Sequence, residues 1–231
     1  MKMKRSAGFT LIEVIVAVGI VAILSAAVAV SVVKYINDGR IARSASDAQT
    51  IGTAVVTFLK DTGKWPVSDD GVLNDAGELS RLVGLDRADV ANAAMIPDGA
   101  GTATGDGNWD GGGDGGTAGA MEDLLILNAD ANTTPLYTVS KSAPVVQGWN
   151  GPYIDTIPLD PWGNPFVCNI RYARGASVTG VTAAEEASHS VFVLSAGPNG
   201  LFETSFDDAT ALPATGVGGD DVGFLVSGAT S

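Results

Sequence analysis

The chain has 231 residues and a formal net charge of −13, from 13 Lys and Arg against 26 Asp and Glu. That length holds one domain, or one domain plus an appendage, and so acidic a surface is a poor partner for nucleic acid, whose phosphates need basic patches. A single cysteine excludes an intramolecular disulfide and a thiolate zinc site; a single histidine argues against zinc-hydrolase and Ser-His-Asp chemistry and leaves lysine- or carboxylate-based chemistry open.

Lys2, Lys4 and Arg5 put +3 into the first eight residues, and removing it from −13 leaves −16 over the other 223. Such a remainder suits a soluble, calcium-rich or extracytoplasmic setting. Val14 to Val33 then run for 20 residues without a charge. At about 1.5 Å per residue they span about 30 Å, the hydrocarbon thickness of a bilayer. The basic leader predicts a cytoplasmic N-terminus. A secretory signal peptide is the competing reading, but its apolar core runs about 7–15 residues, shorter than this one. Glu13 stands at the start of the run. Carried to the bilayer centre, a carboxylate costs roughly 2.5–3.5 kcal/mol. Two readings stay open: an interfacial Glu favoured by the helix dipole, or a charge that waits for a partner, such as the processed N-terminal amine of a neighbouring chain.

Gly8-Phe9-Thr10-Leu11-Ile12-Glu13, behind a basic leader and ahead of the apolar run, resembles the processing site and N-terminal signature of type IV pilin-like proteins. The resemblance implies cleavage after Gly8 by a prepilin peptidase and N-methylation of the new N-terminal Phe9. It implies that Glu13 neutralises the Phe9 amine of an adjacent subunit during assembly. Residues 1–8 are then a leader peptide and residues 9–33 a transmembrane and filament-core helix. Many relatives carry a helix-kinking Pro where this chain has Val30.

Beyond Lys34 the helical pattern continues as the amphipathic segment 34–61. Ile41, Ala45, Ala48, Ile51, Val55, Phe58 and Leu59 recur at three- and four-residue spacings, the core face of a helix packed on a sheet. Gly39 and Gly52 interrupt it with poor helix formers. Ala22, Ser25, Ala26 and Ala29 form small-xxx-small pairs, which let membrane helices approach closely. Asp61-Thr62-Gly63 supplies a helix stop, and Gly63-Lys64-Trp65-Pro66 reads as a turn-like exit.

Residues 62–147 form a variable region. The apolar positions from Leu79 to Met95 predict short helical pieces, and Leu124 to Leu127 is a short apolar run. Between them, ten glycines fall from Gly99 to Gly119. Such a run has too little apolar area to offset ordering entropy, so it reads as a loop or disordered insertion. Within it, Asp106, Asn108, Asp110 and Asp114 give oxygen ligands at EF-hand-like spacing, with Gly111 sixth. The twelfth position, which should be a bidentate Glu, is Thr117. An acidic linker is the alternative.

The last region, 148–231, opens with Gly148-Trp149-Asn150-Gly151-Pro152-Tyr153 and Asp160-Pro161-Trp162-Gly163-Asn164-Pro165. This is turn chemistry: Pro161 fixes φ, and Gly163 or Asn164 takes φ > 0. A strand Phe166–Ile170 follows, with Phe166, Cys168 and Ile170 on one face, then a strand Ser190–Leu194 and a Gly-rich turn. Behind a pilin-like helix, this order resembles the major pseudopilin of type II secretion. The two resemblances cover about residues 5–66 and 148–226. In that family a C-terminal loop binds one calcium ion. The resemblance implies Asn199, Asp220, Asp221 and the Leu194 carbonyl as ligands here, with oxygens of the Ser195 region beside them. Asn199 stands where the family carries Asp and removes one charge. Asp207 and Asp208 compete for the assignment. Cys168 reads as a small core residue and His189 as an ordinary edge residue.

The fold expected is α+β, pilin-like: a long N-terminal helix, half transmembrane and half amphipathic, packed on a small antiparallel sheet. The function expected is that of a non-enzymatic subunit of a type II secretion pseudopilus. Its implied partners are other copies in a helical filament, the prepilin peptidase, an inner-membrane assembly platform with its ATPase, and minor pseudopilins. The domain after the helix is expected to be periplasmic, with Ca²⁺ as cofactor. The alternatives are a type IV pilin for adhesion, motility or DNA uptake, and a calcium-dependent adhesin with a pilin-like anchor. The lack of a second cysteine argues against the disulfide that often closes a pilin C-terminal loop.

Overall fold

A computed structural model describes residues 8–67, 81–84, 119–128, 137, 148–175, 182–204 and 217–228. The chain divides into two compact units at Ala42 and Arg43. Helix α1, Leu11–Thr62, enters both.

In the first unit every residue from 8 to 42 whose side chain is described is exposed, including Val14, Ile15, Val18, Val21 and Leu24. Water does not tolerate so long an apolar surface. The helix is long enough and apolar enough to cross a membrane, and its backbone remains helical through position 30.

The second unit is built on a mixed five-stranded sheet. Its strands are β1 (Arg81–Val83), β2 (Gly119–Ala120), β3 (Val167–Asn169), β4 (Val191–Ser195) and β5 (Val222–Ser227). Their order is β2-β1-β3-β4-β5. The β1–β2 pair is parallel and the other three are antiparallel. A short helix α2, Ala183–Ser188, precedes β4.

Helix residues Ala48, Ile51, Val55 and Phe58 are buried against Leu82, Cys168, Ile170 and Val193. All four helix positions lie on the expected stripe; of its other members, Leu59 is half-buried against this core, while Ile41 and Ala45 are exposed. Phe58 meets Tyr137 edge-on at 4.7 Å and Tyr153 at 5.5 Å; burying one such ring contributes about 1.5–3 kcal/mol. Phe166, Cys168 and Ile170 do share this face. Val167 joins the opposite one, with Val83, Phe192, Leu194 and Phe202. Strand periodicity of two sends alternate residues of β4 to the two cores.

At Gly52, α1 and the sheet approach closely: a Cβ there would run into the Phe224 ring. The helix ends where expected, with the Gly63 N–H bonded to the Leu59 carbonyl at 2.8 Å.

One expectation is corrected. The stretch from Leu79 to Met95 contributes a strand, because Arg81–Val83 pairs in register with β3; its other residues, Gly84 apart, lie outside the described set. The run Leu124–Leu127 belongs to a π-helical turn, Asp123–Leu127, with Leu124 and Leu125 buried in the first core. A short apolar run carries no period that separates helix from strand.

Candidate functional site: a capped helix start and a C-terminal acidic loop

At the start of α1, Thr10 and Glu13 form a capping box. The Thr10 N–H and the Thr10 hydroxyl each donate to Glu13 Oε2 at 2.8 Å. The Glu13 N–H donates back to Thr10 Oγ1 at 3.4 Å. Ser or Thr at the cap with Glu three residues on satisfies two backbone donors that a helix start otherwise leaves orphaned. Glu13 thus caps the start of its own helix. The spacing Thr10-x-x-Glu13 was the sequence signal for it. Gly8 and Phe9 precede the helix and are exposed.

The C-terminal site depends on the second core. Phe202 is buried there and Val217 packs beside it, so the two sides of the loop are pinned under the sheet. Asp220 and Asp221 lead directly into β5. Glu203, next to Phe202, completes a set of three: ligand oxygens of Glu203, Asp220 and Asp221 all lie within 4.8 Å of one another.

The loop is braced by backbone donors. Asp221 Oδ2 accepts from the Glu203 and Thr204 N–H groups at 3.0 and 2.7 Å. Glu203 Oε2 accepts from the Asp220 N–H at 2.8 Å, and Asp220 Oδ2 from the Asn199 N–H at 3.2 Å. Gly197, at φ 63°, lies so close that a Cβ would strike the Asp220 carbonyl. Only glycine takes both that angle and that approach without strain.

Against this bracing, the other oxygens of the two aspartates, Asp220 Oδ1 and Asp221 Oδ1, are buried without a hydrogen-bond partner. Burial pushes the Asp221 carboxyl up to about 6. Burial, then the neighbouring Glu203 carboxylate, raises that of Asp220. Three clustered carboxylates, two of them with an oxygen that lacks a donor, offer hard ligands of the kind suited to a divalent cation such as Ca²⁺, which takes six to eight oxygens.

The expected ligands are placed as follows. Asp220 and Asp221 are together. Asn199 is beside them, but its Oδ1 accepts from the Leu201 N–H at 2.7 Å and its amide nitrogen donates to Glu203 Oε1 at 2.8 Å. Leu194 lies in β4 opposite Gly223, with its side chain in the second core. Ser195 is committed elsewhere: its hydroxyl donates to Asp160 Oδ2 at 2.7 Å and accepts from the Gly197 N–H at 3.3 Å. Asp207, Asp208 and the Asp106, Asn108, Asp110 and Asp114 loop lie outside the described residues. Glu203 was missed; its only sequence signal was a carboxylate four residues after Asn199.

Asp160 ties the loop to the preceding turn. Its Oδ1 accepts from the Trp162 and Asn164 N–H groups at 2.9 and 2.8 Å. Gly163, with φ 95°, takes the left-handed position of that turn. Cys168 is buried and its thiol is pushed up by that burial, which fits a core residue. His189 stacks on the Tyr172 ring at 3.8 Å.

Residues 3–29 match the family model of the prokaryotic N-terminal methylation motif. Residues 132–180 match that of type II secretion system protein G. The second match contains the Asp160 turn and β3 and ends before β4 and the acidic loop. No curated protein and no solved structure matches the chain. The two matched stretches and the α+β pilin-like arrangement support a type II secretion pseudopilin-like protein.

Proposed function

We propose that the chain is a structural subunit of a type II secretion pseudopilus, assembled from the inner membrane to support protein export across the outer membrane. The observation that carries this is one chain with both matches, the methylation motif at 3–29 and the protein G stretch at 132–180. In this reading a prepilin peptidase cuts after Gly8 and methylates Phe9. The exposed apolar part of α1 anchors the subunit, with the domain after the helix in the periplasm. An assembly platform and its ATPase then draw it into a filament that includes minor pseudopilins, where the same surface packs against other copies.

Glu13 sets recruitment and stagger by meeting the Phe9 amine of the next copy. The acidic loop is assigned to Ca²⁺, held by Asp220 and Asp221; the ion would supply the positive charge that their buried, unpartnered oxygens lack. It would stiffen the outer loop and takes part in no reaction.

The test is Glu13→Ala in a host that carries the secretion machinery. The variant should still be cleaved to its mature length, yet yield no pseudopilus in sheared-fibre preparations. Normal fibres from it would refute the assembly role.

A further inference from the structure

We propose that Glu203 is the third charged ligand of the acidic-loop cation, in the place that family resemblance gives to Asn199. The assignment rests on the calcium reading above. Asn199 is spent as a brace. Its side-chain oxygen is engaged by the Leu201 N–H and its amide N–H points at Glu203. A donor turned toward the carboxylates opposes a cation. Glu203 also accepts, from the Asn199 amide and the Asp220 N–H, but its carboxylate carries a charge and further lone pairs, and it brings an oxygen within 4.8 Å of ligand oxygens from both Asp220 and Asp221. Burial of the adjacent Phe202 holds its backbone in place.

The two orphaned oxygens, Asp220 Oδ1 and Asp221 Oδ1, show that the cluster is not closed by its own donors. With Glu203 the ligand set carries three carboxylates. The charge lost at position 199 is restored four residues later, and calcium affinity follows ligand charge.

The experiment is calcium titration by calorimetry on the full chain in detergent micelles, with thermal unfolding in EGTA and in calcium. Glu203→Gln should weaken calcium binding at least about ten-fold. It should leave Tm in EGTA within about 2 °C, because Gln keeps an oxygen for the Asp220 N–H and removes a like charge beside Asp220. Asn199→Ala should change affinity less than about three-fold. The assignment is overturned if Glu203→Gln titrates like the unsubstituted chain, or if it lowers Tm equally with and without calcium, the mark of a mere brace. It is overturned equally if Asn199→Ala is the variant that abolishes binding. In those cases the calcium reading survives; if the unsubstituted chain binds no calcium, both fall.

Discussion

Thr10 and Glu13 bond each other in both directions across the first turn of α1, through two contacts of 2.8 Å and one of 3.4 Å. The carboxylate that would neutralise a neighbour's amine is therefore already engaged within its own chain. Assembly would then exchange or share these bonds. Thr10→Val removes the hydroxyl and leaves one of the three. Losing an N-cap side chain costs about 1 kcal/mol. Hydrogen exchange of the Glu13 amide in micelles should therefore speed up about five-fold. Unchanged exchange would mean that the box does not hold the helix start.

The two glycines of the amphipathic segment behave oppositely. Nothing lies within 4 Å of a Cβ built at Gly39, whereas one at Gly52 meets the Phe224 ring. Gly39→Ala should stabilise the isolated subunit by up to about 1 kcal/mol through helix propensity. Gly52→Val should destabilise it by about 1–3 kcal/mol, because overpacking outweighs the gain in propensity. Thermal unfolding of both variants separates the cases; equal shifts would contradict the close helix–sheet approach.

That pair also marks what the sequence disclosed. The apolar stripe placed Ala48, Ile51, Val55 and Phe58 in the core, because a 3.6-residue period survives a glycine. It could not say that Gly52 sits under Phe224, since the partner strand is more than 170 residues away. The short strand β1 was hidden for a related reason: three residues carry no period, and only pairing with β3 defines them. At the site, Asp220 and Asp221 were reached through the family resemblance, as paired acids before Val222. Glu203 was not, because its place beside them depends on Phe202 folding under the sheet. Asn199 was implied as a ligand by the family resemblance, and the Leu201 N–H that occupies its oxygen is not visible in the sequence.

The Asp160–Ser195 bond joins the 160–164 turn to the end of β4. Asp160 is 4% exposed and Ser195 0%, so the lost contact cannot be replaced cheaply by water. Ser195→Ala removes a donor from a buried carboxylate and an acceptor from the Gly197 N–H. Bonds to charged groups contribute about 1.5–3 kcal/mol, so Tm should fall by several degrees. In a double-mutant cycle with Asp160→Ala, the two losses should be non-additive by about 1–3 kcal/mol. Additive losses would show that the two residues do not act as a pair.

Asp221 makes the metal-free protein respond to acid in an unusual direction. Its ordinary carboxyl value is 3.8, and burial raises it in the folded state to about 6. The folded protein therefore holds the Asp221 proton more tightly than the unfolded chain does. This group contributes stability fully below about pH 4, and the contribution is lost as pH rises through about 6. In EGTA, the Tm of the unsubstituted chain relative to Asp221→Asn should fall between pH 4 and 6.5 and then level off. Saturating calcium should reverse the slope, because a cation favours the ionised form that it binds. A difference between the two proteins that stays flat across this range in EGTA would show that the carboxylate is not held under the strain that the buried, donor-free oxygen implies.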